Sequence, residues 1–497
     1  MQHVIDQSTS AGVVLTIDIG TSSVRVLAYD RSARKVNAIE GRRTVEVDTD
    51  AQGAAEVDAL QLCVQLAACI DEVLAQLDVV TQPVLAVGIA VMATTMVGVN
   101  ALGIPVGPLR TYADTQSDGH ARSLREQVSE AIVHQRTGCM IRPNYWPARF
   151  AWLQTEKHAE WQVATQWLSI GAFITQEFTG FAQMTYSEAS WTGLLDRLTL
   201  DWDAPWLAHL GVSARVLAHL QDADHALPPL THRWATRWPQ LAQVPWYGAI
   251  GDGAAANVGS GCIDEQFLAL TVGTTGALRI ALPGTPQPPP GLWCYRIDRN
   301  TALVGGATSE GGNVYQWVRN TLRLDGDEAL IQARLAAYEP DAHGLTILPL
   351  YAGERSPGWA GEAKATIHGL HLGTSPWDIA RASLEAIALR FGQIAAALPQ
   401  TGMVIASGGA LEHSPVWMQI CADVLGRPVY ASGVEEATAR GAALLVLRHL
   451  RLIPSFAALP TTPSHVYVPH PAATERYAIA AHRQKRLYER MIVTPFL

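Results

Sequence analysis

VVLTIDIGTSSVRVLAYD (residues 13–30) is the stretch whose reading decides the fold. VVLTID is an apolar run that ends on an acid, Asp18. Gly20-Thr21-Ser22-Ser23 follows as a turn of small and hydroxyl residues. VRVLAYD then alternates, with Val24, Leu27 and Tyr29 as strand formers and Asp30 opening the next turn. The pattern predicts strand, turn, strand. Working outward, residues 58–77 read as a helix: Asp58 can cap it, and Cys63, Leu66, Ala67, Ile70, Leu74 and Leu77 share one face. Residues 84–92 read as another buried strand, so the order is that of a mixed α/β layer.

A second start lies past the midpoint. Residues 246–252 read as a strand ending on an acid, Asp252, with a helix opening over 254–259. FLALTVGTTGALRIAL (residues 267–282) is then again strand, Gly-Thr turn, strand. IGTSSVRVLA (19–28) and VGTTGALRIA (272–281) share the turn and a following Arg, offset by one position, which suggests an internal duplication. The expected boundary falls near residues 243–248, giving domains over 1–246 and 247–497. Further on, a Pro-rich loop over 283–291 reads as a rigid surface excursion before a strand from Trp293. Ser375-Pro376-Trp377-Asp378 opens a helix to about Leu398. A strand over 403–406 feeds Ser407-Gly408-Gly409-Ala410, with helices over about 414–425 and from about Ala437.

Composition bounds the function. With 497 residues, 48% hydrophobic and 16% charged, the chain is globular and long enough for two or three domains. The net charge is −9 and Lys and Arg are scattered, so no nucleic-acid footprint appears. Any phosphate site must therefore be local, built from backbone N–H groups, hydroxyls and a metal. The six Cys form no CxxC pair and read as buried thiols of a reducing compartment. The segment MQHVIDQSTSAG shows no secretory pattern. The apolar run over 84–107 is interrupted by Gly, Thr, Asn and Pro. It reads as two buried strands joined by a turn at Asn100–Gly103, not as a membrane span.

Several turns carry candidate chemistry. In Asp18-x-Gly20-Thr21-Ser22-Ser23, small residues let N–H groups and hydroxyls approach an anion, and the acid can hold Mg²⁺. It is neither a Walker A loop nor a dinucleotide fingerprint, because no Gly-rich turn leads straight into a helix. Gly251-Asp252-Gly253 places a carboxylate where it can face a cleft. Gly273-Thr274-Thr275-Gly276 repeats the phosphate logic. Gly408-Gly409-Ala410 lets a base or ribose lie against backbone, and Gly305-Gly306…Gly311-Gly312-Asn313 is a fifth candidate that also fits a flexible loop. Each of these alone also fits a turn without a ligand.

Their order and spacing resemble the FGGY family of carbohydrate kinases over nearly the whole chain. The carrying segments include LTIDIGTSSVRVLAYD, RTGCMIRPNYWPARFAWL, ASWTGLLD, IGDGAAANVGSGC, LTVGTTGALR, LVGGATSEGGNVYQW, YAGERSPGW and ASGGALEHSPVWMQICADVLGRPV, followed by EATARGAALL. YWPAR, VGTTGALR and AGERSPGW are most similar to the gluconate kinase branch, with xylulose kinases next. The resemblance implies two ribonuclease-H-like, actin-like ATPase domains with a ligand cleft between them, the sugar on the N-terminal side and ATP on the C-terminal side. It implies Asp252 as the base that accepts the sugar hydroxyl proton, and Asp18 with Asp252 as the Mg²⁺-associated acids. Thr21, Ser22 and Arg25 match one phosphate segment, and Gly273, Thr274 and Thr275 a second. Gly312 and Gln316 fall in the nucleotide region, and Gly408, Gly409 and Ala410 on the adenosine side. Thr94, Thr95, Tyr112, Asp114 and Tyr145 are the expected carbohydrate contacts, with a packing role for Tyr112 and Asp114 as the other reading.

The chain departs from the family pattern on the sugar side. Ala93, Thr94 and Thr95 stand where many relatives carry a polar or His residue, Gln116 where relatives have Arg, and Arg149 where they often have Lys. The implied function is phosphorylation of a small sugar, sugar acid or polyol by ATP, gluconate-like, in a cytoplasmic protein with no nucleic-acid or membrane partner. The family suggests a dimer. A xylulose or other polyol kinase is the alternative. A non-catalytic sensor on the same fold is a second, disfavoured because Asp18 and Asp252 are both present.

Overall fold

The computed structural model describes residues 12–78, 81–399, 402–461 and 463–494. Residues 1–11, most of the segment read above for a secretory pattern, lie outside it. The opening stretch forms β1 (Val13–Ile19) and β2 (Ser23–Tyr29), followed by β3 (Lys35–Thr44). Helix α1 (Ala59–Gln76) is capped by the Asp58 carboxylate, which accepts from the N–H groups of Leu60 and Gln61 at 2.9 and 3.0 Å. Leu62, Leu66, Ile70 and Val73 of α1 are buried. Gly41 of β3 lets α1 approach closely: a Cβ there would fall 2.5 Å from the Cys69 carbonyl oxygen. β4 (Val84–Val91) and β5 (Ile250–Gly251) complete a five-stranded sheet of order β5-β4-β1-β2-β3. β1 runs antiparallel to β2, with Asp18 opposite Arg25, and parallel to β4. Between β4 and β5 the chain adds small strands and short helices, among them α2 (Ile170–Thr179) and α3 (Tyr186–Ser190).

Helix α4 (Asp252–Gly259) leads to the second sheet. Its strands are β6 (Phe267–Val272), β7 (Gly276–Pro283), β8 (Trp293–Arg296), β9 (Thr301–Thr308), β10 (Met403–Ser407), β11 (Val429–Ala431) and β12 (His465–Tyr467), in the order β8-β9-β7-β6-β10-β11-β12. The five strands β9-β7-β6-β10-β11 repeat the pairing of β3-β2-β1-β4-β5: antiparallel, antiparallel, parallel, parallel. This is the paired ribonuclease-H-like arrangement. The two arginines that seemed equivalent are not. Arg25 pairs with Asp18, whereas the residue opposite Thr271 is Ala277 and Arg279 lies across from Ala269.

Helices α5 (Gly312–Thr321), α6 (Pro376–Ala396), α7 (Pro415–Leu425) and α8 (Ala437–His449) complete the second half. Ser375 and Asp378 form the expected capping box on α6. α8 crosses back to the first sheet and packs on α4 almost backbone to backbone. Cβ atoms on Gly259 or Gly441 would sit 1.8 Å from the carbonyl oxygens of Ala437 or Ala255.

Two local expectations change. The run over 84–107 does hold two buried strands, β4 and Val97–Val99, but they are joined over residues 92–96, where Thr94 has φ +52°. The Asn100–Gly103 turn follows the second strand, closed by Gly103 N–H to Asn100 O at 2.9 Å. The strand expected over 246–252 is regular only at Ile250–Gly251, with Trp246 in a single bridge to Val87. Asp252 therefore opens a helix, where a carboxylate is favoured by the N–H groups of the first turn. The loop over 283–291 is mostly exposed and pinned, as a rigid surface excursion should be. Buried Arg197 donates to the carbonyls of Thr285 and Pro286, at 3.3 and 2.6 Å, and Trp359 Nε1 donates to Gly291 O at 2.7 Å.

Candidate functional site

Strand ends and turns from both sheets meet around one cavity of about 210 Å³. Thr21 reaches it from the β1–β2 turn, Thr275 from the β6–β7 turn, and Asp252 from the start of α4. Thr94 and Tyr112 form its wall on the side of the first sheet, and Arg279 and Arg355 also line it. The Asp252 Oδ1 accepts from the Gly253 N–H at 2.6 Å. Burial raises its carboxyl above the usual range, while the charge of Arg279 opposes the rise. Arg279 Nη1 also lies 3.4 Å from Thr271 Oγ1.

Asp18 is buried at the end of β1, where Arg25 donates to it. The same guanidinium also donates to Glu436, which precedes α8 with φ +51°. Burial pushes the Asp18 carboxyl up to about 6; Arg25 holds it down, and the nearby charges of Asp252 and Glu436 add to the rise. Arg25 is thus shared between two carboxylates.

The turns read as nucleotide segments come together. Gly312 N–H donates to Gly273 O at 2.8 Å and Asn313 N–H to Thr274 O at 3.2 Å, which docks the start of α5 on the β6–β7 turn. A Cβ on Gly312 would fall 2.8 Å from that same Gly273 oxygen. Gly408 has φ +97° and lies against Val272, where a Cβ would meet the carbonyl oxygen at 2.5 Å. Both positions need glycine, one for space and one for conformation as well. Gly409 and Ala410 follow in the first turn of a short helix. Thr274, Ser22 and Gln316 are exposed.

Other expected carbohydrate contacts lie behind the wall. Asp114 is fully buried and accepts from Ala55 N–H at 3.1 Å and from Gln116 Nε2 at 2.8 Å. Gln116 also donates to Glu56 and so faces away from the cavity. Thr95 Oγ1 accepts from Ile170 N–H at 3.0 Å. Tyr145 is buried with its hydroxyl on that of Tyr295, itself a lining residue. Arg149 is fully buried and donates to the carbonyls of Thr94 and Thr111, so it shapes the wall from behind.

Arg355 and Trp191 also line the cavity, and no local sequence pattern marks either of them. Their segments, YAGERSPGW and ASWTGLLD, were among those carrying the resemblance. A further cluster, Asp341, His343 and Glu385, lies elsewhere in the second half. His343 Nδ1 accepts from Leu345 N–H at 3.0 Å, which leaves Nε2 as the donor to Glu385 at 2.9 Å. Arg381 and Arg483 pair with the carboxylates, so the cluster forms an ion-pair network among the described residues.

Two ribonuclease-H-like halves, hydroxyl turns from both, and a carboxylate between them define an ATP-dependent phosphotransferase of the actin-like fold. Residues 13–259 match the N-terminal domain of the FGGY family of carbohydrate kinases, and residues 268–450 its C-terminal domain. The chain belongs to that family and is a carbohydrate kinase. It is 26% identical over 370 residues to a gluconokinase of Bacillus subtilis, covering 71% of this chain and 72% of the relative. It is 29% identical over 467 residues to a glycerol kinase of Leptothrix cholodnii, covering 87% and 89%. The ligand-bound structure of a xylulose kinase from Lactobacillus acidophilus superposes with a TM-score of 0.91 at 22% identity, over 97% of this chain and 99% of that one.

Proposed function

We propose that this kinase phosphorylates a hydroxyl of a small sugar acid of the gluconate type, using Mg²⁺-ATP, in the cytoplasm. The observation that carries the substrate class is the pair of arginines, Arg279 and Arg355, lining the same cavity as Asp252. Gln116, which removed a cation in the sequence reading, faces away from the cavity. A carboxylate substrate therefore meets positive charge inside the cleft itself. Neutral polyols or ketoses are the second reading, supported if Arg279 serves only to balance Asp252.

In this reading residues 1–246 form the sugar-facing domain and 247–497 the ATP-binding domain. Asp252 orients the acceptor hydroxyl and takes its proton. Thr21 and Thr275 reach the reaction centre from opposite sheets, and the glycine turns at 273, 312 and 408 cradle the nucleotide. Asp18 and Glu436 share Arg25 and the charge of Asp252 also reaches Asp18, an excess of acid that fits a divalent cation. Asp18 and Asp252 would hold Mg²⁺, which supplies charge neutralisation of the phosphates. A dimer is part of the proposal only through the family.

Coupled ADP release with gluconate, xylulose, ribulose, glycerol and erythritol tests the reading. Gluconate is expected to give the highest kcat/KM, and Arg355→Gln to raise KM for gluconate at least about tenfold while leaving glycerol within about threefold. Stimulation by glycerol or xylulose alone selects the second reading. No stimulation by any acceptor leaves a non-catalytic sensor.

A further inference from the structure

A small recess opens beside the cleft, with room for the centre of one water-sized group, about 10 Å³. Thr94, Glu188 and Trp191 line it, and Thr94 and Trp191 also line the main cavity. Each of the three carries a buried polar atom without a hydrogen-bond partner among the described residues: Thr94 Oγ1, Glu188 Oε2 and Trp191 Nε1. Buried polar atoms are partnered in the great majority of cases, because leaving one unpaired forfeits its bonds to water with nothing in return. Three orphans lining one hydroxyl-sized space form a site that expects a polar guest.

The local structure holds this arrangement firmly. Glu188 sits in α3, and its Oε1 accepts from Ser169 Oγ at 2.7 Å just before α2. Gly171 makes the room: a Cβ there would fall 2.2 Å from Glu188 Oε1. The Trp191 ring lies against Gly251, one residue before Asp252. Thr94 takes its left-handed conformation in the segment where β4 leaves the sheet. Burial raises the Glu188 carboxyl to about 8, and the Ser169 hydroxyl only partly offsets this. At neutral pH the acid is therefore mostly protonated, with Oε2 able to donate as well as accept.

We propose that the recess is a hydroxyl-binding subsite of the cleft: one hydroxyl of the acceptor, other than the one phosphorylated, enters between Thr94, Glu188 and Trp191 and is read there. The guest is a hydroxyl of a polyol chain, since nothing larger than one water-sized group fits. This rests on the kinase reading and adds a specificity determinant to it.

The test takes the best acceptor of the panel above and each of its monodeoxy analogues. kcat/KM is measured for all of them in the wild-type chain, Glu188→Leu, Glu188→Gln and Thr94→Val. In the wild type, removal of one particular hydroxyl should cost about 100-fold or more. That penalty should fall below about fivefold in Glu188→Leu and Thr94→Val and be partly restored in Glu188→Gln. Penalties at the other positions should not change. Because the readout is a ratio within one variant, a general loss of folded protein cancels, and Thr94→Val serves if Glu188→Leu does not fold. A resident water, or a purely structural Glu188, leaves every penalty as in the wild type and overturns the proposal. If no acceptor is turned over, thermal shifts with D-gluconate and glycerol decide. A saturable shift lost in Thr94→Val keeps the subsite and removes the kinase reading, and no shift removes both.

Discussion

At Asp252, one carboxylate joins helix start, cleft floor and arginine. Its place in the first turn of α4 gives it a backbone N–H of its own, from Gly253, and Arg279 as a counter-charge. Asp252→Asn should lower kcat by about 10²–10⁴-fold while ATP binding, followed by calorimetry, stays within a few-fold. Because enclosure raises its carboxyl, protonation should remove the proposed base at a higher pH than for an ordinary Asp. The acidic limb of kcat/KM should therefore lie above pH 4, and a rate still flat down to that pH would take the base role from Asp252. Glu188 gives a stability test of opposite use. Its folded-state carboxyl, at about 8, lies above the unfolded value of 4.5, so the folded chain is favoured below pH 4.5 and loses stability as pH rises through 8. The slope is about 1.4 kcal/mol per pH unit across that window. Glu188→Gln removes it: relative to the wild type, the variant should gain thermal stability between pH 5 and pH 8, as read by unfolding midpoints.

Between elements, the decisive contact is that of α4 with α8. Both helices approach through glycine and alanine, and α8 also lies on β4, where a Cβ on Gly88 would come 2.7 Å from Val446. Gly441→Ala drives a methyl group into the Ala255 backbone, and backbone cannot swing aside as a side chain can. We expect a loss of at least about 1–3 kcal/mol and a displaced α4, hence lower kcat through Asp252 at a distance. Denaturant unfolding and turnover measured on the same sample check both halves of this statement. Elements of this kind also show where the sequence speaks. The strand–turn–strand units, the Asp58 cap and the Ser375–Asp378 box are local patterns, set by residues within a few positions of one another. Arg355 and Glu188 reach the cleft only through packing between distant segments, and Gln116 and Asp114 turn away from it for the same reason. No spacing rule signals either outcome. The Arg of each duplicated unit shows the limit well: a one-position offset in sequence becomes a different register in the sheet, and Arg279 serves Asp252 where Arg25 serves Asp18 and Glu436.

Across the whole molecule, the two halves meet along a seam as well as at the cleft. Gly138 accepts from Cys294 N–H at 2.9 Å, His134 Nε2 lies 2.6 Å from Leu292 O, and Ser190 Oγ accepts from Arg296 N–H at 2.9 Å. Arg197 closes the seam through the carbonyls of Gln135, Thr285 and Pro286, the first of them at 2.7 Å. The chain thus ties β8 and the proline loop of the second half to the first half, on top of the crossing by α8. We expect such ties to couple the unfolding of the two halves, because neither can lose structure without exposing the seam. Arg197→Ala removes a buried guanidinium and leaves three part-buried carbonyls without their charged donor, a loss of about 1–3 kcal/mol. Scanning calorimetry should show one transition for the wild type. In Arg197→Ala the midpoint should fall and the endotherm should broaden or split as the halves uncouple, whereas an unchanged single transition would show that α8 alone carries the coupling. The cleft gives the second readout: with the seam loosened, acceptor binding has to order the two walls, so KM for the acceptor should rise more than kcat falls.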